Sequence, residues 1–120
     1  MLHFFERKEQ LKTYSTTRYP FLPKRKLVWK EICAYLNRNF ILKDSKVLEI
    51  GSGYGDFIMN IGARERVAIE QDIKFREYLN HDVDITVHFS DALSILRTMP
   101  KNSFDVVFCS NFFEHFEIST

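Results

Sequence analysis

Glu49, Gly51, Ser52, Gly53, Gly55 and Asp56 crowd into one short stretch, VLEIGSGYGD, and their order suits ligand binding. Glycines at alternate positions let the backbone take positive φ and let a ligand approach with no Cβ in the way. The apolar run Lys46–Ile50 before them reads as a strand. The residues from Asp56 onward read as a helix, whose free N–H groups would point at the same spot. Strand, glycine turn and helix in that order commonly hold nucleotide-like ligands.

The charges narrow the ligand further. A dinucleotide fingerprint needs glycine where Asp56 stands, and a pyrophosphate would also meet Glu49. No lysine follows the glycines, which excludes a P-loop. Two carboxylates beside the loop suit a cationic adenosine ligand rather than an anionic one. A second strand, Arg66–Glu70, ends in an acid about twenty residues after the first glycine, the usual distance for a ribose-binding acid. Its two acceptor oxygens match a vicinal diol. S-adenosylmethionine carries an amine, a sulfonium and a ribose but no phosphate, and so meets each condition.

Four segments extend this reading. VLEIGSGYGDF resembles the first motif of the class I S-adenosylmethionine-dependent methyltransferases, and RVAIEQD resembles their strand with the ribose-binding acid. HFSDALSIL resembles the strand-to-helix turn whose Asp meets the adenine amino group. FDVVFCSNFFEHF resembles the fourth strand and the substrate-side loop. They stand in family order at family-like spacing over residues 44–118. The resemblance implies an α/β, Rossmann-like methyltransferase fold with flanking helices, here a truncated parallel sheet of order 3-2-1-4.

It also implies roles. Glu49 would accept from the methionine amino group, directly or through water, and Gly51, Ser52, Gly53 and Gly55 would form the cofactor loop. Glu70 would take the ribose hydroxyls, with Asp72 as a competitor. Asp91 would accept the adenine amino group while the Ala92 N–H reads the ring; a plain helix N-cap is the other reading of Asp91. Tyr54 would either face the sulfonium or simply pack, and Asp56 would support the loop or cap its helix. Asn111, Glu114 and His115 follow strand four, where the family places substrate. Asn111 is assigned to the cofactor and His115 to proton removal from the acceptor; a structural role stands beside that. Glu114-His115 matches part of a metal-binding cluster in some relatives, but further ligands are not identifiable, so no metal is expected.

The elements that position these residues follow from pattern. Residues 1–23 have no clear period and read as an arm. Residues 24–120 read as the first half of the cofactor-binding domain. Lys24 to about Asn39 is an amphipathic helix with Val28, Ile32, Tyr35, Leu36 and Phe40 on one side. Short helices are expected over Asp56–Ile61, capped by Gly62, over Ile73–Asn80 and over Leu93–Met99. Strands are expected at Ile85–Phe89 and at Phe104–Cys109, the latter buried on both faces. Alternating strands and helices argue a parallel α/β sheet, and helices this short should cover it thinly.

At 120 residues the chain has room for one modest core. With 45% hydrophobic and 28% charged residues it is unlike a disordered segment. Cys33 and Cys109 are isolated thiols, which points away from a zinc site or disulfide framework and toward a reducing cytoplasmic setting. No run is long or apolar enough for a membrane span. Net charge is +1, but residues 1–46 hold 11 Lys or Arg against 4 Asp or Glu, and the remainder is acidic. The basic half would suit an anionic substrate such as a nucleic acid or a phosphorylated sugar; a solvated helix face is the favoured reading, and no nucleic-acid partner is expected. The expected activity is methyl transfer to a small molecule, such as a sugar or polysaccharide precursor, by the parent protein. The alternatives are a truncated, non-catalytic binding or interaction module and half of a nucleotide-dependent oxidoreductase. Because the chain stops just past the family's fourth strand, that strand should be an open edge and favour self-association.

Overall fold

The computed structural model describes residues 23–79 and 84–110. Helix α1 (Pro23–Asn39) opens on a proline, whose fixed φ and missing N–H cost nothing in the first helical turn. Strand β1 (Lys46–Ile50) leads into the glycine loop, and β2 (Glu65–Glu70) follows. A 3-10 turn at Ile73–Phe75 runs into the one-turn helix α2 (Arg76–Leu79). Then come β3 (Ile85–Phe89), α3 (Ala92–Leu96) and β4 (Val106–Cys109).

The four strands form one parallel sheet in the order β3-β2-β1-β4. Side chains alternate across it with the strand period of two. Val47, Ala68 and Ile85 face a core with Cys33, Ile41, Phe57, Ile58, Ile61 and Leu79. Leu48, Ile50, Val67 and Ile69 face the other side, against Ala92, Ile95, Leu96 and Met99. Both sides of β1 and β2 are therefore covered, which explains why their middle residues, Val47-Leu48 and Val67-Ala68-Ile69, are apolar in succession.

Five expectations need correction. Residues 56–60 form successive turns instead of a helix. The Asn60 N–H donates to Phe57 O at 3.0 Å, while the Asn60 side-chain amide takes Asp56 O at 2.7 Å, the carbonyl a helix would have given to its backbone N–H. Gly62 consequently caps no helix; its N–H donates to Asn37 Oδ1 at 3.0 Å. The third helix is Ala92–Leu96, shorter than expected, because Thr98 and Met99 bond back only three residues, to Ile95 and Leu96.

The fourth strand starts two residues late, at Val106, and it is not buried on both faces: Val107 is 55% exposed. Asp105 anchors its start, donating its N–H to Lys46 O at 2.9 Å and accepting the Lys46 N–H at 2.8 Å.

The inner face of α1 also differs from the apolar stripe. Leu36 packs on the core as expected, but Val28 and Tyr35 point outward with Phe40 beyond them, and Ile32 is also exposed. Arg25, Trp29, Cys33 and Asn37, each four residues from the next, turn inward instead. The Cys33 thiol donates to Asp56 O and Phe57 O, and the Asn37 amide donates to Asn60 O at 3.1 Å. The turns at 56–62 leave carbonyls without helical partners, and α1 presents the donors that satisfy them.

Candidate functional site

Sheet order sets the location. The chain passes from β1 outward to β2 and β3, then returns to place β4 on the other side of β1. The crevice at the carboxyl ends of β1 and β4 is thus the switch point, where open α/β sheets hold their ligands. The glycine loop leaves β1 there.

Gly51, Gly53 and Gly55 have φ of 76°, 54° and 82°. Every second residue is left-handed, a path that residues with a Cβ rarely adopt. The Gly51 and Ser52 N–H groups donate to Ile69 O at 2.8 and 3.3 Å, fixing the loop to the end of β2. A Cβ at Gly53 would meet nothing within 4 Å, so the loop is open there to an approaching ligand. At Gly55 it would lie 2.5 Å from Leu79 Cδ2, so that glycine serves packing.

Glu49 lies beneath this loop and is 3% exposed. Its Oε1 has no hydrogen-bond partner, and neither has the buried Ser52 Oγ. Burial pushes the Glu49 carboxyl well above the usual carboxylate range; the Ile58 N–H opposes this, while Glu70 and Asp56 add to it. A buried acceptor left unmade costs about 1–3 kcal/mol. A bound ammonium group would satisfy it and favour its charged form.

Glu70 ends β2, buried against the loop. It accepts the Gly53 N–H on Oε1 at 2.7 Å and the Asp72 N–H on Oε2 at 2.8 Å. Each carboxylate oxygen has a second lone pair, so acceptor capacity remains for a ribose hydroxyl. Burial raises the Glu70 carboxyl and these N–H groups lower it, leaving it above its usual value. Asp72 turns away, accepting the Lys74 N–H at 3.0 Å.

Asp91 follows β3 and caps α3, accepting the Ser94 N–H at 3.1 Å and the Ser94 hydroxyl at 3.0 Å, both on Oδ2. The N-cap reading is therefore present; Ala92 behind it is buried in the second core cluster. Tyr54 packs edge-on to Phe75 and Tyr78, with ring centroids 4.9 and 4.8 Å away. Asp56 caps no helix. Its carboxylate pairs with Arg25 at 2.8 Å. Asn111, Glu114 and His115 lie outside the described residues.

Structure thus brings together Glu49, Gly51, Ser52, Gly53, Gly55 and Glu70, with Asp91 and Ala92 at the end of the next-but-one strand. Sequence reasoning missed Arg25, 31 positions before its partner. Its signal is the spacing Arg25, Trp29, Cys33 and Asn37, a single helix row with a cation, a thiol and an amide in it. Among the described residues no group of three or more His, Cys, Asp or Glu could hold a metal ion. No helix among them is long and apolar enough to cross a membrane.

Comparison with known proteins agrees with this geometry. Solved structures of the plantazolicin methyltransferase BpumL align with the fold. In complex with triazolic desmethylPZN analog and SAH, the match has a TM-score of 0.59 at 17% identity and covers 94% of this chain and 45% of that one. The complex with pentazolic desmethylPZN analog and SAH gives 0.58 at 16%, covering 94% and 46%. The complex with SAH alone gives 0.54 at 18%, with the same coverage. This chain therefore spans less than half the length of these structures. No curated protein sequence matches it. Residues 48–119 match the methyltransferase domain family, and with more than half of its length matched the chain belongs to that family.

Proposed function

We propose that this chain binds S-adenosylmethionine and is the cofactor half of a methyltransferase acting on a small molecule. The observation that carries this is the unpartnered, buried Glu49 Oε1 beneath a loop whose alternate residues all need positive φ. Glu49 would hold the cofactor's amine, with the buried Ser52 hydroxyl beside it. Gly51–Gly55 would admit its chain, Glu70 its ribose, and Asp91 with the Ala92 N–H its adenine. Asn111 is assigned to the same ligand from its position after β4.

When bound, the cofactor supplies an activated methyl on sulfur, so the protein needs little chemistry of its own beyond orientation and exclusion of water. His115 is assigned to removing the acceptor's proton, in the range where imidazole titrates. The acceptor we favour is a sugar or polysaccharide precursor, by the likeness of the segment SNFFEHF to such enzymes, and the setting is the reducing cytoplasm. An unpaired Glu49 disfavours pyrophosphate, and with it the oxidoreductase alternative.

Calorimetry with S-adenosylmethionine, S-adenosylhomocysteine and NAD tests the reading. Saturable binding of the first two and none of NAD is expected; binding of NAD alone would overturn it. A second reading, self-association through β4, is favoured by the sheet itself: among the described strands β4 pairs only with β1, and its Val107 is exposed.

A further inference from the structure

We infer that Arg25 is a positioning residue for the cofactor site: it pairs with Asp56, holds the end of the glycine loop against α1, and offsets part of the negative charge that Asp56 presents toward Glu49. This deepens the cofactor reading above and rests on it.

The geometry is specific. Arg25 Nε lies 2.8 Å from Asp56 Oδ2, and the Asp56 side chain is only 7% exposed, so little water screens the pair. The same guanidinium lies 5.5 Å from the Tyr54 ring centroid, within cation–π range. One cation from α1 therefore touches two loop residues, on either side of Gly55. The Cys33 thiol, two turns further along α1, donates to the Asp56 carbonyl, so α1 holds both the side chain and the backbone of Asp56.

Two carboxylates raise the Glu49 carboxyl from the elements packed around it. Glu70 acts from β2 and Asp56 from the loop. The Cys109 thiol of β4 and the Cys33 thiol of α1 both feel the Glu49 charge, and Cys33 is pushed up to about 11, chiefly by burial, so both are neutral near pH 7. The Arg25 guanidinium, paired with Asp56, is a compensating cation. Without it an uncompensated Asp56 would make a carboxylate at Glu49 harder to form, and a ligand amine would lose its counter-ion.

The test follows the Glu49 side-chain carboxyl by carbon NMR against pH in the ligand-free chain. Three proteins are compared: wild type, Arg25→Gln and Asp56→Asn. Arg25→Gln keeps a donor toward Asp56 and removes the charge; it should move the Glu49 midpoint up. Asp56→Asn should move it down. Shifts in the same direction, or none, would overturn the inference. Should Arg25→Gln fail to fold, Arg25→Lys must keep the wild-type midpoint while Asp56→Asn lowers it; any other result overturns the inference.

Calorimetry with S-adenosylhomocysteine then reads the consequence. Arg25→Gln should bind more weakly near neutral pH, by about tenfold for each unit its midpoint rises, and recover as pH rises. A loss that is the same at every pH marks Arg25 as merely structural and overturns its role at the site. If wild type binds no S-adenosylhomocysteine while the two midpoints still move oppositely, the cofactor reading fails and the charge coupling stands.

Discussion

At the residue scale, the site is defined by a conflict between folding and binding. Glu49 is buried without a partner for Oε1, and its folded pKa is raised. A raised acid binds more protons in the folded state than in the unfolded one, so its contribution is complete below the ordinary carboxylate range and is lost as pH rises through the folded value. The ligand-free chain should therefore melt at progressively lower temperature as pH rises above about 4.5, the ordinary glutamate value. Glu49→Gln should flatten that slope and raise the melting temperature at neutral pH, while weakening S-adenosylhomocysteine binding by about 10-fold or more, the loss of one charged hydrogen bond. Thermal melts across pH, with calorimetry, check both halves. The glycines make a paired prediction. Gly53→Ala meets open space and should cost about 1–2 kcal/mol from positive φ alone. Gly55→Ala adds a 2.5 Å approach to the buried Leu79 and should cost more, as urea unfolding would show. These residues were legible in the sequence because a turn is local: glycine spacing and a flanking acid lie within one stretch of chain. Arg25 was not, because its partnership is set by how α1 lies across the sheet.

At the element scale, strands were read more accurately than helices. β1 and β3 fall where the apolar runs place them, and β2 begins one residue earlier. A buried parallel strand carries its own signal in continuous apolar residues. Residues 56–61 misled because apolar and polar positions there fit a helix, while the chain satisfies its carbonyls with side chains of Asn60, Cys33, Asn37 and Arg66. Cys33 and Asn37 also explain why Val28, Ile32 and Tyr35 of the apolar stripe face out while Leu36 packs inward: the inner row had to supply donors. Asn37 accepts the Gly62 N–H and donates to Asn60 O, so Asn37→Ala should destabilise the chain by about 2 kcal/mol, one per hydrogen bond. Val28→Ala, on the outer face, should change stability by no more than about 0.5 kcal/mol. Chemical denaturation of the two variants distinguishes the observed orientation of α1 from the apolar one.

At the scale of the whole molecule, one sheet carries the proposed cofactor site at its carboxyl end, with β3 and β4 as its outer described strands. The order β3-β2-β1-β4 leaves β4 pairing with β1 alone among the described strands, with Val107 exposed. Unpaired backbone groups along an apolar edge recruit other strands. Light scattering over a concentration series should show dimers or larger species of the 120-residue chain; a monomer at every concentration would remove β4 as an association edge. The charge imbalance has a local meaning as well. Glu49, Asp56, Glu70 and Asp91 lie in the acidic part of the sequence, and structure brings a cation from the basic part, Arg25, onto one of them. The most direct test of the central claim is a titration of the amide NMR spectrum with S-adenosylhomocysteine. The largest shifts should fall on Gly51–Gly55, on Glu70–Asp72 and on Asp91–Ala92, at the carboxyl ends of the first three strands. No shift at saturating ligand, or shifts confined to the outer face of α1, would contradict the assignment of this site.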